Sequence, residues 1–189
     1  MGDLRQAGKG AWLNGKPIRP STIDQMIDAM LITGFRFQFF NTPRSNLPYF
    51  NRVMLEAQCV RRLGSAALDL AYVANGRVEG FWEIALNPWD VAAGILIIRE
   101  AGGIVSTLHG EGHLLKGSVD ILAANPIIFP KLQTILDEGM GLTASVDQAA
   151  ESAEQELSFR KTGLAISLAA ILLVVVALQL KIRSLHPPA

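Results

Sequence analysis

A chain of 189 residues has room for one ordinary domain of roughly 100–150 residues, plus a remainder that needs its own account. Lysine plus arginine equals aspartate plus glutamate at 17 each, with no basic run interleaved with aromatics, so there is no net field to draw a polyanion, which tells against nucleic acid as a partner. Cys59 is the only cysteine, which excludes an intrachain disulfide and any multi-cysteine metal site and suits a reducing compartment.

The first residues lack the apolar stretch of a secretory signal, and Gln6 stands where a myristoylation pattern needs Ser or Thr. Trp12-Leu13-Asn14-Gly15-Lys16-Pro17-Ile18 sets Asn-Gly between short apolar stretches. Both central residues tolerate positive φ, so a type I′ hairpin is expected. Residues 21–28 are expected to form a short helix capped by Ser21, and 29–33 a buried strand ended by Gly34. From 46 to 62 the apolar positions Leu47, Phe50, Val53, Met54, Ala57 and Val60 recur at three- and four-residue steps. That stripe predicts one amphipathic helix with Pro48 in its first turn.

A second helix opens at Gly64-Ser65, with Ser65 as its cap, Leu68, Ala71 and Tyr72 on its packing face, and Gly76 as a left-handed stop. Residues 78–84 read as a strand, 89–101 as a helix ended by Gly102-Gly103, and 104–107 and 121–124 as further strands. After Asn125-Pro126 a last helix runs to residue 136, with Pro130 near its start. Strands and helices alternate, which predicts an α/β fold, a layered α-β sandwich.

Residues 139–161 are small and polar, with Glu151, Glu154 and Glu156 clustered, and read as a linker. Leu164 to Leu180 is a run of 17 uncharged residues flanked by Arg160-Lys161 and by Lys181 and Arg183. As a helix it would be about 25 Å long, at the short end of what spans a bilayer. The expectation is a domain over 1–138, a linker over 139–161, a single transmembrane helix over 162–183 and a short tail over 184–189. This C-terminal helix would anchor the domain to a membrane from the cytoplasm. The flanking charges are too symmetric to orient the span. A buried core helix is the competing reading.

Chemistry concentrates in Phe81-Trp82-Glu83-Ile84-Ala85-Leu86-Asn87-Pro88-Trp89-Asp90. Asp90 falls at a strand-to-helix junction, where a carboxylate either caps the helix or coordinates a hard cation such as Mg2+. Glu83 stands at a strand end, where open α/β sheets build ligand sites, and is otherwise a surface strand residue. Gly64-Ser65-Ala66-Ala67 puts a glycine before a helix start, which leaves amides free for a phosphate or polar substrate, although such caps are also ordinary. His109 and His113, with Lys116 nearby, fall in a glycine-rich loop. They read as solvent-exposed turn residues rather than as a transition-metal site.

Arg61-Arg62-Leu63-Gly64-Ser65-Ala66-Ala67-Leu68-Asp69-Leu70, Gly76-Arg77-Val78-Glu79-Gly80-Phe81-Trp82-Glu83, Pro88-Trp89-Asp90-Val91-Ala92-Ala93-Gly94 and Arg99-Glu100-Ala101-Gly102-Gly103 follow one another in this order. Together they resemble the second half of the inositol monophosphatase family, including its second signature around Trp89-Asp90. Gly8 to Gly15, Thr33-Gly34-Phe35 and Leu122-Ala123-Ala124-Asn125-Pro126 extend the resemblance over residues 8–136.

The resemblance implies a magnesium-dependent phosphomonoesterase acting on inositol 1-phosphate or a related sugar phosphate. It makes Asp90 a metal ligand, Glu83 a hydrogen-bond partner of a substrate hydroxyl, and Gly64, Ser65 and Ala66 the lining of the substrate pocket. It also implies homodimers, and it assigns no catalytic residue here. The family's Glu-Glu element and Asp-Pro-x-Asp-Gly-Thr motif do not occur in this sequence. One carboxylate does not assemble a site for several Mg2+ ions, so the chain is expected to be inactive alone. A non-catalytic, membrane-anchored binding or interaction module derived from that family is the alternative. A related phosphatase of a nucleotide or fructose bisphosphate is a third reading.

Overall fold

The computed structural model describes residues 8–110 and 113–139, together with Ser152, Gln155 and Ser158. Asn14 and Gly15 take positive φ, 52° and 76°. They fold β1 (Trp12–Leu13) back onto β2 (Lys16–Pro17), as an Asn-Gly pair should. The helix expected over 21–28 does not form, and only a 3-10 turn, Met26–Asp28, is present. The Ser21 hydroxyl instead accepts the amide of Ile23 in a local turn. Ile27 stays exposed, so a longer helix here would have no apolar face to bury.

Strand β3 (Met30–Thr33) enters the core. Helix α1 (Leu47–Met54) then covers only half of the helix expected over 46–62, and β4 (Cys59–Arg61) takes up the rest. Met54 and Leu55 face solvent, so burial no longer supports the helical stripe beyond Val53. Val60 finds a backbone partner beside Leu31 of β3, and a β-branched residue suits that pleated surface better. Helix α2 (Ala66–Ala74) starts where expected. Its packing face, however, is Leu70, Val73 and Ala74, whereas Leu68 is half exposed.

Strand β5 (Gly80–Leu86), helix α3 (Pro88–Ala101), β6 (Ile104–Thr107) and β7 (Val119–Ala124) follow, and residues 128–139 form helix α4. The five-stranded sheet has the order β4-β3-β5-β7-β6. β4, β3 and β5 run parallel, while β7 is antiparallel to both β5 and β6. Side chains alternate between its faces. Ile32, Phe81 and Ile121 pack with Leu70, Val73 and Ile98 of α2 and α3. Leu31, Trp82 and Leu122 pack on the other face with Val53 of α1 and Leu132 of α4. With both faces covered, central strands read as nearly continuous apolar runs. Helix α2 lies so close to α3 that a Cβ on Gly94 would collide with Leu70.

The chain divides into two compact units, Met1–Thr143 and Ala144–Ala189, and the sheet with its helices belongs to the first. Among the described residues no helix is long and apolar enough to cross a membrane. The apolar block 164–180, expected as a single C-terminal helix, lies outside the described residues, as does almost all of the linker before it.

Candidate functional site

Strand β3 ends with Thr33 opposite Trp82 of the parallel strand β5, which runs on to Leu86. Helices α2 and α3 begin just beyond the carboxyl ends of neighbouring strands, the edge at which α/β sheets leave a crevice. A cleft of about 330 Å³ opens there, and all five residues singled out in the sequence, Gly64, Ser65, Ala66, Glu83 and Asp90, line it. Gly34, Arg36 and Arg62 line it too, and the sequence reading had not assigned them.

Ser65 stands at the N-cap position of α2 in extended backbone, but its side chain makes no capping bond. The first intrahelical bond runs from the Asp69 amide to the Ser65 carbonyl. The amides of Ala66, Ala67 and Leu68 therefore have no acceptor within the helix, and this end of α2 offers donors to a polar ligand.

Asp90 occupies the first turn of α3 and does part of the cap's work. Its Oδ2 accepts the Asn87 amide at 3.0 Å and the Asn87 side-chain Nδ2 at 3.1 Å. Arg36 lies 3.8 Å from the same oxygen. Asp90 Oδ1 has no hydrogen bond among the described residues, so one oxygen stays open to a cation while the other holds the helix end. Capping and ligation are thus compatible at this residue. Among the described residues no group of three or more His, Cys, Asp or Glu side chains could hold a metal ion. Asp90 fits as a single oxygen ligand and not as a complete Mg2+ site.

Glu83 turns its carboxylate toward Gly34, and a Cβ built on Gly34 would fall inside that carboxylate. Gly34 thus makes space for an acid in the cleft wall. Burial, reinforced by the negative charge of Asp69, pushes the Glu83 carboxyl up to about 7, against the pull of Arg36 and Arg62. Asp69 is itself 1% exposed, and burial raises its carboxyl to about 6. Its Oδ1 has no hydrogen-bond partner among the described residues. Burial thus holds both carboxyls above the usual carboxylate range.

A closed set of buried hydrogen bonds fixes this wall. Trp82 Nε1 donates to Asn46 Oδ1 at 2.8 Å. Asn46 Nδ2 donates to Thr33 Oγ1 at 2.8 Å and to the Gly34 carbonyl at 2.7 Å. The Thr33 hydroxyl in turn donates to the Trp82 carbonyl at 2.6 Å. The start of α1 is thereby tied to the end of β3 and to the middle of β5 through Asn46, a residue that the sequence marks only as the start of a helix. Past Glu83 the β5–β7 register shifts before Leu86, and Ala85 takes φ 60°. The freed Ala85 amide donates to Asp120 Oδ1 at 2.7 Å. Such a bulge re-aims the strand end toward Asn87 and α3.

The sequence matches the inositol monophosphatase family over residues 4–148. It is 46% identical over 132 residues to Nus factor SuhB of Salmonella typhimurium, covering 69% of this chain and 49% of that protein. It is 52% identical over 127 residues to inositol-1-monophosphatase of Synechocystis sp., covering 67% of this chain and 44% of the relative. The solved inositol monophosphatase of Anabaena superposes with a TM-score of 0.64 at 41% identity, over 69% of this chain and 54% of that one. The chain spans about half the length of the curated relatives it matches.

Proposed function

This chain belongs to the inositol monophosphatase family, and from that premise we propose that it carries the substrate-side half of a magnesium-dependent phosphomonoesterase site for inositol 1-phosphate or a related sugar phosphate. The observation that carries this reading is the joint placement of Gly64, Ser65, Ala66, Glu83 and Asp90 around one cleft.

In this reading Asp90 Oδ1 supplies one ligand of a Mg2+ ion. The ion, when bound, activates water and neutralises the leaving oxygen. The free amides at the start of α2 and the Ser65 hydroxyl orient the polyol, and Glu83 exchanges a hydrogen bond with one of its hydroxyls. Because burial raises the Glu83 carboxyl to about 7, both its protonated form, which donates to that hydroxyl, and its ionised form, which accepts from it, are accessible near neutral pH. With one candidate ligand among the described residues, turnover by this chain alone is expected to be negligible.

The alternative is a non-catalytic binding module that keeps the same cleft. It draws on the Arg36–Asp90 ion pair, which gives Asp90 a counter-ion without any metal. We further propose that the apolar block 164–180 anchors the chain to a membrane with the domain in the cytoplasm. That proposal rests on the sequence alone and is tested by carbonate extraction of membranes. Homodimers, which the resemblance implies, are tested by light scattering of the purified chain.

Two measurements on the purified chain test the cleft reading: calorimetric binding of inositol 1-phosphate with and without Mg2+, and phosphate release under the same conditions, each beside Asp90→Asn. Magnesium-dependent binding weakened by the substitution supports a half-site. Binding indifferent to both Mg2+ and Asp90 favours the non-catalytic module. Absence of binding removes the substrate-side reading.

A further inference from the structure

We propose that the groove between the C-terminal half of α3 and the turn His113–Lys116 is a second ligand site, for an amphipathic anion: one phosphate or carboxylate head on a hydrocarbon chain. It does not depend on the phosphomonoester reading of the cleft.

A cavity of about 600 Å³ opens there, larger than the cleft at the strand ends, and its lining is Ile95, Arg99, His113, Leu114, Leu115 and Lys116. Small-molecule sites fall in that range of size. Arg99 stands in the last turn of α3 and Asp90 in the first, about 14 Å apart along the helix axis. The two cavities share no lining residue.

The lining is chemically selective. Its polar side chains are the cations Arg99 and Lys116 and the His113 ring, and no acid, hydroxyl or amide side chain is among them. A polyol or a peptide backbone would find one side-chain acceptor at most, the His113 ring. The apolar side chains are all aliphatic, so a nucleobase has no ring to stack on. An anion joined to hydrocarbon satisfies both halves of this lining, the head at Arg99 and Lys116 and the chain along Ile95, Leu114 and Leu115.

The acids nearest in sequence are committed elsewhere. The Glu100 carboxylate accepts the amides of Gly8 at 2.7 Å and Gly10 at 2.8 Å. Asp120 Oδ1 takes Arg44 at 2.8 Å and the Ala85 amide at 2.7 Å. Neither Arg99 nor Lys116 has an ion-pair partner among the described residues. The Lys116 amide donates to the His113 carbonyl at 3.3 Å, which closes a turn with Leu114 and Leu115 at its centre, where polar residues, Gly or Pro are usual. Leu114 packs inward against the core cluster that contains Ile95. Leu115 is 58% exposed, and it stands directly before Lys116, so apolar surface and charge adjoin as an amphipathic ligand requires.

The test is titration of the full chain with hexyl phosphate, read by calorimetry and by the NMR shifts of the backbone amides of residues 113–118. Inorganic phosphate is the head without the chain, and 1-hexanol the chain without the head. Hexyl phosphate is expected to bind at least tenfold more tightly than either and to move those amides. Arg99→Gln and Lys116→Gln should each weaken it at least threefold, and Leu115→Ser should bring it close to inorganic phosphate. Arg99→Gln should leave inositol 1-phosphate binding unchanged. Thermal melting of each variant separates lost recognition from lost folding, and Arg99→Lys, which keeps the charge, should retain most of the affinity.

Vesicles of phosphatidylglycerol and of phosphatidylcholine distinguish the two sources of such a ligand. A preference for phosphatidylglycerol that the double glutamine variant loses assigns the site to a lipid. Hexyl phosphate binding without that preference assigns it to a free soluble anion, and either result supports the site. Hexyl phosphate bound no more tightly than inorganic phosphate or hexanol, or an affinity that neither glutamine substitution changes, would overturn the inference and leave the reading of the cleft as it stands.

Discussion

The Glu83 carboxylate fills the space in which any residue other than glycine at position 34 would carry its Cβ. Gly34 does not take positive φ, so its requirement is steric and not conformational. Gly34→Ala should therefore leave the strand intact and displace Glu83, weakening inositol 1-phosphate binding at least tenfold. Calorimetry and a melting curve on the same sample separate the two effects.

Glu83 and Asp69 predict a particular dependence of stability on pH. Burial raises Glu83 from 4.5 to about 7 and Asp69 from 3.8 to about 6. Between each pair of values the folded chain binds more protons than the unfolded chain. Their contribution is thus fully present below the unfolded values and is lost as pH rises through the folded ones. The melting temperature of the parent should fall between pH 5 and pH 8 by more than that of Glu83→Gln or Asp69→Asn. Equal slopes in all three proteins would contradict it.

Asn46 serves Trp82, Thr33 and Gly34 at once. Asn46→Ala leaves the Trp82 indole N–H and the Gly34 carbonyl without partners in a buried place. Each such loss costs about 1–3 kcal/mol, so the variant should be about 2–6 kcal/mol less stable in urea unfolding. Ligand affinity should fall as well, because the wall carrying Gly34 and Glu83 is held by these bonds.

Ala85 holds a left-handed backbone at φ 60° in the bulge between Glu83 and Leu86, a conformation costing about 1 kcal/mol for a residue with a Cβ. Ala85→Gly relieves that cost and gives some of it back through the freer unfolded chain. The expected outcome is a stability gain below about 1 kcal/mol, measured by thermal melting. Ala85→Val should instead destabilise, since a β-branched side chain tolerates this region poorly.

What the sequence determined by itself is local in origin. Asn14-Gly15 dictated its hairpin through positive φ, and Gly102, at φ 91°, ended α3. The alternation of strand and helix patterns laid out a layered α/β fold, while the antiparallel placement of β7 came only with the tertiary structure. The five residues that the family resemblance assigned to one site do share one cleft, because strand ends and helix starts converge in an α/β fold. What the sequence reading missed depended on partners distant in the chain. The stripe from Leu47 to Val60 could not reveal that β3 would claim Cys59–Arg61 as a neighbouring strand. The demand on Gly34 exists only because Glu83, far along the chain, returns to the same place. Asp69 reads as an ordinary polar residue in the first turn of a helix, and only the packing of α2 against the sheet and α3 buries it. The hydrogen-bond partners of Asn46 likewise lie elsewhere in the chain, at Thr33 of β3, at Gly34 just past it and at Trp82 of β5. Periodicity and turn chemistry act over a few residues, whereas steric exclusion, desolvation and buried hydrogen bonding are set by what the completed fold brings alongside.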